Sequence, residues 1–337
     1  MLPVTASITK NRQTPATLRA MLARAYGPDQ VPDERDGDEG WWSELGHGWF
    51  NVAYRLRLRD GREVVAKIAP PADVEVMTYE RGAMGIELAT IALLRERTEV
   101  PVPEVHHVDT THDLVDADWF TMALVEGEDL GELSTTLLPA ELDRLDAVRG
   151  DLTRRINEVR GPWFGPLAGP GERTWRATFT RLVEDVLRDG ERRAVDTGVE
   201  PDEVRALLRA HGGTLEEVTE PRLVEWDLWP PNVMVHDGEV VAVIDHERAF
   251  YGDPLVEAGF CGITTPELGD PAAFLRGYGH PGVLTDTELR RRQLYSLHLL
   301  LVMVVETVYR GHTDPTQYDW ARARLAEVVA ALRDGRP

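Results

Sequence analysis

The 337-residue sequence predicts an α+β fold of two lobes, β-rich over residues 1–125 and mainly helical over 126–337. Residues 54–68 alternate apolar and charged side chains around Asp60-Gly61, which is a β-hairpin pattern. From Pro139 onward the apolar residues recur mainly at helical spacing. The polar turn Val125-Glu126-Gly127-Glu128 separates the two regimes. A chain of this length, 42% hydrophobic and 28% charged, can bury two cores.

Taken in order, Leu18, Met21 and Leu22 give a leading helix over residues 15–25 that Gly27-Pro28 ends. A glycine-bearing loop, Leu45-Gly46-His47-Gly48-Trp49-Phe50-Asn51, precedes the hairpin. If its Asp60-Gly61 turn has two residues, Lys67 lies across from Tyr54, near the loop. A helix is expected over residues 77–97, with Glu80 and Glu87 on one face, ending before Val100-Pro101-Val102-Pro103. Strands are expected at 105–108 and 119–124. Helices are expected at 139–158, 174–189, 202–210, 286–309 and 317–333. No fixed-period repeat is visible.

Composition excludes several function classes. The formal charge of −21 argues against a nucleic-acid backbone as partner and favours a cationic one. The longest apolar run, Leu297 to Val305, is about half of what spans a bilayer, so no membrane partner is expected. The N-terminus lacks the apolar stretch of a secretory signal. The single cysteine, Cys261, makes neither an internal disulfide nor a cysteine zinc site, and a cytoplasmic location is expected. Only two of the 37 basic residues are lysines, Lys10 and Lys67. Lys67 sits in the apolar run Val64-Val65-Ala66-Lys67-Ile68, where an unpaired charge is costly. Phosphate binding, which suits a compact ammonium, would explain it.

The most informative stretch runs from Leu223 to Asp245: a loop holding Asp227 and Asn232, then a hairpin turning at Asp237-Gly238. Pairing outward from a two-residue turn sets Asn232 opposite Val243, with Asp245 its diagonal neighbour on the same face. An Asp, an Asn and a second Asp then converge at one end of a hairpin. Phosphoryl transfer asks for such a set, with two oxygen ligands for magnesium and one carboxylate facing the attacking hydroxyl.

Asp227-x-x-x-x-Asn232 followed by Ile244-Asp245 resembles the catalytic loop and metal-binding aspartate of kinase-fold phosphotransferases. The run Ile244-Asp245-His246-Glu247-Arg248-Ala249, continuing to Tyr251-Gly252-Asp253-Pro254, is similar to aminoglycoside phosphotransferases and their choline kinase-like relatives. The resemblance extends over residues 40–310 and implies a bilobed protein-kinase-like fold. It further implies that Asp227 orients the substrate hydroxyl, Asn232 and Asp245 bind Mg2+, and Lys67 contacts the α- and β-phosphates of ATP or GTP. Glu87 would be the ion-pair partner of Lys67, with Glu80 as competitor. Gly46 and Gly48 would let the loop backbone approach the nucleotide, Val65 would also belong to the nucleotide site, and Ala123 to Val125 would meet the base. Two departures stand out: Glu225 replaces the family's usual histidine, and Trp226 stands where glycine is common. Trp229 replaces the lysine of protein kinases, which speaks for a small-molecule acceptor, and Trp229 and Glu306 are candidates to face it.

The expected function is therefore transfer of a γ-phosphoryl group to a hydroxyl of a small molecule, an aminoglycoside or other antibiotic being favoured. A metabolic kinase of fructosamines, sugars, amino alcohols or nucleosides is the alternative. A non-catalytic kinase-fold binding module is the alternative of another class.

Overall fold

The computed structural model describes residues 7–33, 40–46 and 50–335. They fall into two compact units. The first comprises Met1–Val76, Pro103–Val125 and Tyr309–Thr313, and the second Met77–Val102, Glu126–Val308 and Asp314–Pro337. The sequence suggests a single cut after residue 125, whereas residues 77–102 pack with the second unit.

In the first unit, among the described residues, five antiparallel strands form a sheet in the order β1-β2-β3-β5-β4. They are β1 (Trp42–Leu45), β2 (Val52–Arg57), β3 (Glu63–Ile68), β4 (Val105–Asp109) and β5 (Trp119–Ala123). Helix α1 (Pro15–Tyr26) begins where the Thr14 hydroxyl accepts the Thr17 N–H and Pro15 occupies the first turn. Its Leu18, Met21 and Leu22 pack with Val52, Tyr54, Leu56, Val64, Ala66, Ile68 and Trp119 in one buried core.

The turn between β2 and β3 differs from expectation. It has three residues, Arg59-Asp60-Gly61, closed by Leu58 N–H to the Arg62 carbonyl at 2.8 Å, with Gly61 at φ +89. The Asp60 carboxylate accepts the Arg62 N–H at 3.0 Å, which favours this longer turn. Lys67 therefore pairs with Ala53 rather than Tyr54. A one-residue slip exchanges the faces of a strand, so Lys67 and Val65 lie opposite the α1-packed face instead of within it.

The second unit holds α2 (Ala83–Arg97), α3 (Leu130–Leu133), α4 (Pro139–Asn157), α5 (Trp175–Arg192), α6 (Pro201–His211), α7 (Ala272–Tyr278), α8 (Asp286–Tyr309) and α9 (Thr316–Arg333). The expected helix at 77–97 is broken. Thr78–Glu80 forms a 3-10 turn and Gly82, at φ +72, ends it, so α2 begins only at Ala83. The Glu80 carboxylate accepts the Met77 N–H at 2.9 Å, making Glu80 a cap of that turn and not a face-mate of Glu87.

Two small sheets stabilise the loops of this unit. One has the order β10-β9-β6, with β6 (Glu128–Asp129), β9 (Val233–His236) and β10 (Glu239–Val243). The other has the order β7-β11-β8, with β7 (Gly165–Pro166), β8 (Arg222–Val224) and β11 (Phe250–Gly252). Asp237 at φ 49 and Gly238 at φ 77 form the expected two-residue turn between β9 and β10. A bulge between Val240 and Ala242 then shifts the register, so Val243 pairs with Val233 and Ile244 N–H bonds the Asn232 carbonyl at 3.0 Å. Asn232 is consequently opposite Ile244, one residue away from expectation. Among the described residues no helix is long and apolar enough to cross a membrane.

Candidate active site

The candidate site is built on the two loops that flank β9 and β10. The first leaves β8 at Val224 and carries Glu225 to Asn232, ending in a 3-10 turn over Pro230–Asn232. Its shape is fixed by a buried acid that the sequence analysis did not single out. The carboxylate of Glu257, fully buried, accepts the Glu225 and Trp226 N–H groups, both at 3.0 Å, and the Asn157 amide at 2.8 Å. Trp226 is held at φ +61, which explains why glycine suits this position and why a tryptophan here needs support. That support is aromatic: its indole stacks on His298 at 5.1 Å and meets the edges of Tyr79 at 5.6 Å and Phe250 at 6.3 Å. The Asn232 side-chain amide donates to the Asp227 carbonyl at 2.8 Å, leaving its oxygen as the atom able to face a cation.

The second loop follows β10. Asp245 is in the left-handed region at φ 68, so its direction is set by this turn and not by the strand pleat that predicted it. Carboxylate oxygens of Asp245, Glu247 and Glu87 lie within 4.8 Å of one another. Three hard oxygen donors at such spacing fit a divalent cation, since ligand oxygens about 2.0 to 2.6 Å from one ion lie this close together. Glu87, assigned by the resemblance to Lys67, is thus also a neighbour of the acidic pair, and Glu247 is a ligand candidate that sequence reasoning missed.

Asp227 stands in a field of these acids. Burial is the largest influence and pushes its carboxyl up to about 6; Arg248 acts in the opposite direction, and Asp245, Glu247 and Glu306 push it further up. The Arg248 guanidinium is 3.4 Å from Asp227 and 3.7 Å from Glu306, and lies 5.3 Å from the Tyr79 ring centre and 5.6 Å from that of Trp226. Glu306 also accepts from Gln317 at 2.8 Å and from the Tyr79 hydroxyl at 3.4 Å. The structure therefore gathers Glu306, Arg248 and Asp227 into one cluster. Trp229, half-buried, is on the same loop, its N–H bonded to the Asp227 carbonyl at 2.8 Å.

The departure at Glu225 also has a counterpart. Its carboxylate lies 3.0 Å from Nδ1 of His246, whose Nε2 is 3.1 Å from the Val243 carbonyl. Both ring nitrogens thus face acceptors. Burial works against a charged ring, but Glu225, Glu87 and the Val243 carbonyl outweigh it and raise the His246 pKa. The His246 side chain is fully buried.

The remaining predicted residues belong to the first unit. Lys67 is 6% exposed and Val65 5%, so both are buried side chains of β3. Gly46 is the turn after β1, while Ala123 ends β5 and Val125 follows it, both half-buried. Gly48 lies outside the described residues.

A family model described as "Phosphotransferase enzyme family" matches residues 41–295. A subtelomeric hrmA-associated cluster protein of Aspergillus fumigatus is 31% identical over 146 residues, which is 43% of this chain and 28% of that protein. The chain spans little more than a quarter of the length of the curated relatives it matches first. Among solved structures, the aminoglycoside phosphotransferase APH(4)-Ia, in a ternary complex with ADP and hygromycin B, superposes with a TM-score of 0.65 at 20% identity, covering 94% of this chain and 98% of that one. A candidate fructosamine-3-kinase of Thermobifida fusca gives 0.61 at 21% identity, covering 92% and 98%. APH(2″)-IIa, in a ternary complex with streptomycin and ATP, gives 0.58 at 15% identity, covering 96% and 98%. At these identities the structural likeness is one of fold, a kinase-like α+β fold. With some three quarters of its length matched by the family model, the chain belongs to the phosphotransferase enzyme family.

Proposed function

We propose that the chain is a Mg-nucleotide-dependent O-phosphotransferase, moving the γ-phosphoryl group of ATP or GTP to a hydroxyl of a small molecule. The observation that carries this reading is Asp227, with its carboxyl raised to about 6, beside the oxygen cluster of Asp245, Glu247 and Glu87. At neutral pH an acid of that strength is mostly ionised, yet basic enough to accept a hydroxyl proton as the bond to phosphorus forms. Asp227 then holds the acceptor oxygen in line, and Asn232 keeps the Asp227 backbone in place through its amide. Asp245 and the Asn232 oxygen are the assigned magnesium ligands, with Glu247 added. When bound, the metal would neutralise charge on the phosphates, which together with positioning is most of what such a transfer needs. Lys67 is assigned to the α- and β-phosphates, Glu87 to its support, Gly46 and Gly48 to the nucleotide loop, Val65 to the nucleotide site, and Ala123 and Val125 to the base.

For the acceptor, an aminoglycoside or other antibiotic is favoured, on the family and on the −21 charge, which attracts cations. Trp229 and Glu306 are its proposed contacts. A metabolic kinase is the second reading, favoured by the fold match to the candidate fructosamine-3-kinase. A cytoplasmic location is part of the proposal. Incubating the protein with Mg-ATP and Mg-GTP against a panel of amino sugars, aminoglycosides and fructosamines, with nucleotide consumption and acceptor mass as readouts, tests it. A gain of one phosphate on an acceptor, lost in Asp227→Ala, is the expected result. Nucleotide binding without transfer to any acceptor would favour a binding module.

A further inference from the structure

We propose that Glu225 and His246 are the positioning residues of this site, a buried side-chain latch that sets the placement of Asp227 relative to Asp245. This rests on the phosphotransferase reading for the roles of those two aspartates, but the latch itself is a matter of geometry.

Glu225 is two residues before Asp227, and His246 is one residue after Asp245. The 3.0 Å contact between their side chains therefore ties together the two loops that carry the proposed chemistry. The two loops are also joined at the far end of the first, where the Ile244 N–H bonds the Asn232 carbonyl at 3.0 Å, and by Arg248, 3.4 Å from Asp227. β8 ends at Val224 and pairs with β11, while β10 ends at Val243 and pairs with β9. Between the strand ends and the two aspartates the chain leaves its ladders, and the latch ties the loops at the Glu225 end, next to β8.

Each end of the latch is itself anchored. The Glu225 N–H is held by Glu257 at 3.0 Å, and His246 Nε2 by the Val243 carbonyl at 3.1 Å. Glu225 is 2% exposed and His246 fully buried, so water does not compete for the bond. Beside it, one on each loop, Trp226 at φ 61 and Asp245 at φ 68 occupy a backbone region that non-glycine residues hold only when their surroundings enforce it. Interactions just behind metal ligands orient them, and losing one typically costs about ten- to a hundred-fold in metal affinity.

The test uses Mn2+ binding in the presence of ADP, followed by electron paramagnetic resonance, on the full chain. Glu225→Leu, which removes the acceptor at similar size, is expected to weaken Mn2+ binding about ten-fold or more. The reciprocal double variant, Glu225→His with His246→Glu, is expected to recover most of that loss. Folded Glu225→Leu with wild-type Mn2+ affinity would overturn the latch, as would a folded double variant no tighter than the single one. Should both variants fail to fold, the 15N-labelled wild type decides. A protected, downfield Nδ1 proton on His246 supports the latch, and its absence refutes it. If the wild type binds no Mn2+ with ADP, the assignment of Asp245 falls and the latch with it. If it binds Mn2+ and ADP but phosphorylates no acceptor, the phosphotransferase reading fails while the latch stands.

Discussion

Replacing Glu257 by glutamine isolates what the buried acid beneath the catalytic loop does. Burial pushes the Glu257 carboxyl from 4.5 up to about 7, while the hydrogen bonds from Asn157 and from the Glu225 and Trp226 N–H groups pull it down. At about 1.4 kcal/mol per pH unit, that displacement amounts to on the order of 3 kcal/mol of preference for the protonated form in the folded chain. An acid whose folded pKa is raised contributes stability that is fully present below 4.5 and is lost as the pH rises through about 7. Glutamine does not titrate, so every other ionising group cancels when the two proteins are compared. Between pH 5 and pH 8 the stability of wild type minus that of Glu257→Gln should fall by on the order of 2 to 3 kcal/mol. The glutamine also turns an N–H toward a loop that presents only donors, leaving one unpaired at a pH-independent cost of about 1–3 kcal/mol. Urea unfolding at both pH values, at fixed ionic strength, measures the gap. A gap that stays constant or widens with rising pH would refute the reasoning, because the hydrogen bonds would then outweigh burial.

Three further outcomes follow from the geometry. Asp227→Asn should lower kcat by about 10² to 10⁴, yet unfold at no lower temperature than wild type at pH 8 without metal, because burial disfavours the ionised acid it removes; calorimetry alongside the transfer assay checks both halves. Lys67→Met should lower kcat/KM for the nucleotide by about 10² to 10³, and unchanged nucleotide kinetics would remove Lys67 from the phosphates. Gly277→Ala would set a methyl group 1.7 Å from the Ala147 carbonyl oxygen where α7 crosses α4; separating the helices should cost about 1–3 kcal/mol, read as a lowered thermal midpoint.

Much of the fold was legible because it rests on periodicity. The long helices α4, α5, α8 and α9 were found within a few residues of their ends, since each has turns of apolar spacing to reveal it. The short pieces, β6, β7, β8 and β11, have two or three residues each, too few for a period to show. Both hairpin registers were one residue off for a related reason. The turn at Asp60-Gly61 admits a two- or a three-residue form, and the bulge at Val241 leaves no mark in the alternation. The stretch carrying Asp227, Asn232 and Asp245 was conspicuous because the three lie close together in sequence. Glu257 was not, although an acid between Val256 and Ala258 in an apolar stretch was a usable signal. Glu247 and Arg248 were inside the recognised run but had no assigned role. The partnership of Glu225 with His246 joins residues far apart in sequence, and only coordinates reveal it.

The three-residue turn between β2 and β3 makes the strand that bears Lys67 sensitive to arithmetic more than to chemistry. Side chains along a strand obey a parity rule, so shortening this connection by one residue would carry the lysine into the greasy layer beneath α1 and bring Ala66 out in its place. Shortening it by two would restore the original sides. Natural length variation in this loop should therefore come in even steps, whatever residues fill it.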